Sequence, residues 1–166
     1  MERAASLKTS LLLPLLMLGV LWVPALLVPA HSFAQASGAE RVLVLVAAAE
    51  SQITAPTNEQ VRNAWMGLPV KINGQLLEPL RNLAEPMADE VFLQKVMFMA
   101  RRRYERNVIS QVFHFGGTLP RRVDERDQLT IMLRNNPGGI SYMWTEATGD
   151  LPGVKILAEL WRGTVD

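Results

Sequence analysis

The chain has 166 residues, with 17 lysines and arginines against 16 aspartates and glutamates, and no cysteine. That composition excludes a disulfide-stapled mini-protein and a thiolate metal site, and a net charge near zero gives no global field for gathering nucleic acid. The length suits one domain held together by its own core.

Taken in chain order, residues 1 to 34 read as a secretory signal peptide. Arg3 and Lys8 form a basic start, Leu11 to Val28 an apolar run, and Ser32-Phe33-Ala34 a small-x-small cleavage site. Ala34-Gln35-Ala36 offers a second such site. A retained membrane anchor is the competing reading, since about 20 apolar residues span a bilayer. Against it, Pro14, Pro24 and Pro29 interrupt the run and no basic stop-transfer cluster follows. Cleavage leaves residues 35 to 166 as a single domain in the periplasm. Loss of Arg3, Lys8 and Glu2 makes that domain formally neutral, so neither nucleic acid nor membrane is expected as its partner.

Val42-Leu43-Val44-Leu45-Val46 has no polar residue and reads as a strand buried on both faces. Thr57 and Gln60 stand at capping-box spacing before a helix carrying Val61, Ala64 and Trp65, which Gly67 ends. Asn73-Gly74 between Val70-Lys71-Ile72 and Gln75-Leu76-Leu77 marks a hairpin, and Leu76 to Leu80 leads into the next strand. Pro86 opens a helix with Val91, Phe92, Val96, Met97 and Met99 as its apolar face, and a further helix runs from about Arg101 to Phe113 before Gly116-Gly117. Asp124 reads as the N-cap of a helix carrying Leu129, Ile131, Met132 and Leu133, stopped by Asn135-Asn136-Pro137-Gly138-Gly139. Ile140 to Trp144 and Val154 to Leu157 complete the strands. Strands alternating with helices imply an α/β domain with a mixed, mostly parallel sheet flanked by helices.

Trp65-Met66-Gly67, the Asn-Gly turn, Leu80-Arg81-Asn82, Phe92, Phe115-Gly116-Gly117 with Pro120, and Asn136-Pro137-Gly138-Gly139-Ile140-Ser141-Tyr142 follow one another in an order that resembles the small phosphate-binding-like proteins. These are relatives of the periplasmic substrate-binding proteins of phosphate ABC transporters. The resemblance covers residues 41 to 160 and implies one lobe of a type 2 periplasmic binding fold, in which two α/β lobes close over an oxyanion. It also implies that Arg81 and Asn82 donate to that ligand. In transporter-linked members Gly, Ser and Thr follow the arginine into a helix. Here Glu85 and Asp89 bring negative charge to that place and Pro86 removes an amide donor.

Other motifs have plainer readings. Arg101-Arg102-Arg103 fan around a helix and suit a solvated face, the alternative being contact with a partner or with lipid headgroups. His114 alone, without cysteine, makes no metal site, and no nucleophile, base and orienting group can be assembled, so neither cofactor nor enzymatic activity is expected. Met87, Met97, Met99 and Met132 read as core filler, and Trp65, Trp144 and Trp161 as large residues closing the core edge. Thr145 and Glu146 follow a strand at the carboxyl edge where open α/β sheets present ligands, and Thr145 joins Arg81 and Asn82 as a candidate ligand-binding residue. The expected function is non-catalytic, solute-binding-like, for phosphate or another small oxyanion. The alternative is a periplasmic protein-interaction or sensory module that keeps the fold without the ligand site, its partner another protein or a second copy of the chain.

Overall fold

The computed structural model describes residues 39–149 and 151–165, so the expected signal peptide lies outside the described residues. The all-apolar first run forms β1 (Glu40–Ala48), and Leu43 to Ala48 are buried without interruption. Helix α1 (Asn58–Trp65) begins at Thr57 with both halves of the expected capping box in place. The Gln60 amide donates to the Thr57 hydroxyl at 3.2 Å, and the Thr57 amide to the Gln60 side chain at 2.8 Å. Strands β2 (Lys71–Ile72) and β3 (Gln75–Leu76) form the expected hairpin, with Asn73 and Gly74 at φ 51° and 80°, as a type I′ turn requires.

Strand β4 (Glu78–Asn82) leads to α2 (Pro86–Val91), which widens into one π-helical turn at Phe92–Val96. Helix α3 (Arg101–Phe115) runs two residues past the expected end to Gly116. A three-residue strand, β5 (Arg121–Val123), precedes α4 (Arg126–Asn135), and β6 (Gly139–Trp144), α5 (Thr145–Thr148) and β7 (Val154–Thr164) follow. Two expectations need correction. Glu125, not Asp124, occupies the N-cap of α4, and it makes no side-chain cap bond. Met87 is 45 % exposed because it lies in the first turn of α2, outside the core, whereas Met97 is buried.

The main sheet has the order β5-β4-β6-β1-β7. β4 runs parallel to both β5 and β6, while β1 runs antiparallel to β6 and β7. The result is a single α/β domain with a mixed sheet flanked by helices. Every residue of β6 is buried, so the sheet is covered on both faces. On the Tyr142 side, Phe92 stacks on the tyrosine ring at 4.0 Å and Trp65 tilts against both. Helix α4 packs across β1, β4, β6 and β7.

Pairing along β7 slips twice, leaving Leu160 and Leu157 without partners on β1. Each slip is a β-bulge, and together they turn the strand's period of two into a period of three. Ile156, Glu159 and Arg162 therefore share the exposed side, and the Arg162 guanidinium donates to both oxygens of Glu159 at 2.7 and 3.1 Å.

Candidate functional site

The parallel strands β5, β4 and β6 end together, and the chain turns there into α4, α2 and α5 respectively. This carboxyl edge is where a doubly covered α/β sheet presents ligands. A cleft of about 480 Å³ opens on it, lined by Arg41, Glu85, Pro86, Met87, Arg126, Trp144, Glu146 and Ala147. Both of its arginines are already paired. Arg126 donates to Glu85 at 3.2 Å, and Arg41 reaches Glu146 through Nε at 2.7 Å and through Nη2 while lying 4.0 Å over the Trp144 ring. Burial alone would raise the Glu146 carboxyl, but hydrogen bonds from its own amide and from Arg41 leave it below the usual range.

Arg81 is not in this cleft. It is 3 % exposed on β4, and its guanidinium is held in a bidentate pair by Asp89 of α2, with Nε on Oδ1 at 2.8 Å and Nη2 on Oδ2 at 2.9 Å. A fork on a fork is the strongest geometry an arginine and a carboxylate can adopt. Asp89 is itself fully buried, accepts a further bond from the Tyr142 hydroxyl at 2.6 Å and forms an ion pair with Arg101 at 2.9 Å. Glu105 contacts the remaining nitrogen of Arg81 at 3.4 Å, and Tyr104 lies beneath its plane at 5.2 Å. Burial would lower the Arg81 guanidinium, but the bond and charge of Asp89 outweigh it and hold the group raised. Burial, reinforced by Asp89, pushes the Tyr142 phenol well up.

The spacing that creates this pair was visible in the sequence as charge in the wrong place for a ligand. Its consequence was not visible, because it depends on Asp89 falling on the inward face of α2. Arg101, expected to be solvated with its neighbours, instead leaves them to meet Asp89.

Asn82 is fully buried and serves the sheet. Backbone pairing of β4 with β6 stops at Pro79 and Ile140, and two side chains continue it: Ser141 donates to the Leu80 carbonyl at 2.9 Å and Asn82 to the Tyr142 carbonyl at 3.0 Å. Thr145 is exposed between two residues that line the cleft, and its hydroxyl donates to the Val42 carbonyl at 3.1 Å. The three candidates are thus brought to one edge of the sheet, and each is engaged by its own chain. Of the cleft residues, Glu146 was legible beside Thr145 at the carboxyl end of β6, whereas Arg41 and Arg126 escaped the sequence reading because they come from separate elements with no motif between them.

A larger groove of about 730 Å³ lies at the opposite, amino edge, between the β2–β3 hairpin and the segment from Gly117 to Arg122. Among the described residues no group of acidic residues and histidine is arranged to hold a metal ion, and no helix is long and apolar enough to cross a membrane.

No protein-family model and no curated protein matches the chain. Its structure is similar to the crystal structure of an ABC-type phosphate transport receptor from Vibrio cholerae, with a TM-score of 0.53 and 13% sequence identity over 73% of this chain and 47% of that one. The fold is periplasmic-binding-protein-like. At that identity the likeness carries the fold alone, and the chain spans about half the length of the receptor.

Proposed function

We propose that this chain is an exported, non-catalytic module of the periplasmic-binding-protein kind that has exchanged its oxyanion for its own Asp89 and acts by contact with another protein. The observation that carries the reading is the buried, bidentate Arg81–Asp89 pair. The arginine that the family resemblance assigns to phosphate has its fork filled, and an incoming anion would have to displace a carboxylate that holds three partners. The pairing of Arg41 and Arg126 with Glu146 and Glu85 supports the same reading at the carboxyl-edge cleft. Export rests on the signal-like residues 1 to 34, and a non-catalytic role fits the described residues, among which no nucleophile is joined to a base.

The test is a thermal melt with and without millimolar phosphate, sulfate and other small anions. A ligand of the native state at a hundredfold excess over its Kd stabilises by about 2.7 kcal/mol, so even modest affinity is visible. No selective shift is expected. A rise in midpoint with one oxyanion alone would overturn the reading and restore solute binding. Asp89→Ala should cost about 3–5 kcal/mol, because it leaves the buried Arg81 charge without its partner.

A further inference from the structure

Between Arg101 and Val123 the chain carries six arginines and a single carboxylate, Glu105, which is turned toward Arg81. In a molecule that is close to neutral, this stretch concentrates positive charge. Arg102, Arg103, Arg106, Arg121 and Arg122 are all exposed and make no ion pair among the described residues. On α3, Arg102 and Arg106 share their side with large apolar groups. Arg102, Arg106, Ile109 and Phe113 fall at helical spacing on one stripe, opposite the stripe of Tyr104 and Val108 that faces the core. Ile109 is 59% exposed, Phe113 84% and Phe115 73%, and Leu119 continues the apolar surface just beyond the helix.

We propose that this face of α3 lies on an anionic lipid surface, with the arginines on headgroup phosphates and Ile109 and Phe113 at the acyl boundary. Arginine suits phosphate through its planar fork, and a helix with a basic side and an aromatic side is the usual form of an interfacial element. The length fits, since Arg102 and Phe113 are about 16 Å apart along a helix that rises 1.5 Å per residue, so the stripe can lie flat in the interface. Two alternatives are weaker. Pairing with a second copy would set arginine against arginine. A protein partner would need its own pocket for Phe113, which stands out from the surface and lines neither of the two clefts, whereas a lipid boundary receives it without preformed shape. The formal neutrality of the chain led to the expectation of no membrane contact, but neutrality is a sum, and the charge is unevenly placed. This proposal does not depend on how the Arg81 region is used.

The test is co-sedimentation of the full chain with vesicles of phosphatidylcholine alone and of phosphatidylcholine mixed with phosphatidylglycerol. It is run beside a variant combining Arg102→Glu, Arg103→Glu and Arg106→Glu, and a second carrying Phe113→Ser. The apolar N-terminal segment is common to all three proteins, so differences among them report on α3. Wild type should prefer the anionic vesicles and lose that preference in high salt. Each arginine near such a surface is worth roughly a fivefold gain in partitioning, so the arginine variant should bind at least about tenfold more weakly. The phenylalanine variant should also weaken, and both should melt within a few degrees of wild type because the changed groups are exposed. Equal binding to both vesicle types, or equal binding by wild type and the arginine variant, would overturn the proposal. Capture of soluble polyglutamate without any vesicle preference would overturn it in favour of an acidic protein.

Discussion

Arg81 and Asp89 form a buried pair in which two guanidinium nitrogens meet the two carboxylate oxygens. The pair is held from four directions, by Tyr142, Arg101, Glu105 and the face of Tyr104. The same arrangement has a signature in alkali. The chain contains two tyrosines, and both are buried donors: Tyr142 to Asp89 and Tyr104 to the Trp65 carbonyl at 2.7 Å. Ionising either would turn a donor into a second negative group against an acceptor. Burial, with Asp89 adding to it, therefore raises both phenols above the ordinary value of 10.0. A group whose folded pKa is raised contributes stability that is complete below its unfolded pKa and is lost as pH climbs toward the folded one. Stability should hold to about pH 10 and then fall by up to about 1.4 kcal/mol per pH unit for each tyrosine. Absorbance of tyrosinate followed against pH checks this. It should stay flat past pH 10 and rise in a single step that coincides with loss of the far-ultraviolet circular dichroism. A smooth rise centred near pH 10 with the fold intact would contradict it.

Among the elements, legibility followed local signals. The capping box at Thr57, the Asn73-Gly74 turn and the unbroken apolar run of β1 each declare themselves within a few residues, and each formed as expected. β5 did not declare itself: Arg121 and Arg122 are exposed and only Val123 is buried, so its strand character comes from pairing with β4 and from no pattern of its own. The candidate site was half legible for a related reason. The sequence put acids beside Arg81, but which acid would turn inward was decided by the rotation of α2. Past the end of α3 the chain is fixed by a contact between two glycine backbones. A Cβ placed on Gly117 would stand 1.9 Å from the Gly67 carbonyl oxygen, at a φ of +115° that side chains avoid. Gly117→Ala should therefore cost about 3 kcal/mol or more, whereas Gly149→Ala, with open space and right-handed helical angles, should change little. Urea denaturation of the two variants decides it, and similar midpoints for both would show that the contact yields easily.

For the whole molecule, burial is concentrated at the middle of the sheet and thins toward the end of α3. β1 and β6 lie inside the sheet with both faces covered, whereas residues 113 to 119 are exposed throughout. Amide exchange should be slowest between Leu43 and Ala47 and between Ile140 and Met143, and fast from Phe113 to Leu119. Uniform protection across these segments would mean that the chain opens only by unfolding as a whole. The sheet has two borders, and each is spoiled in its own way, β5 by being three residues long and arginine-rich, β7 by its two bulges. A fibril grows by laying one straight, fully hydrogen-bonding strand beside another, and neither border offers such a template. In a crowded compartment, with no disulfide to lock it shut, the folded chain is thereby kept from polymerising through its own sheet.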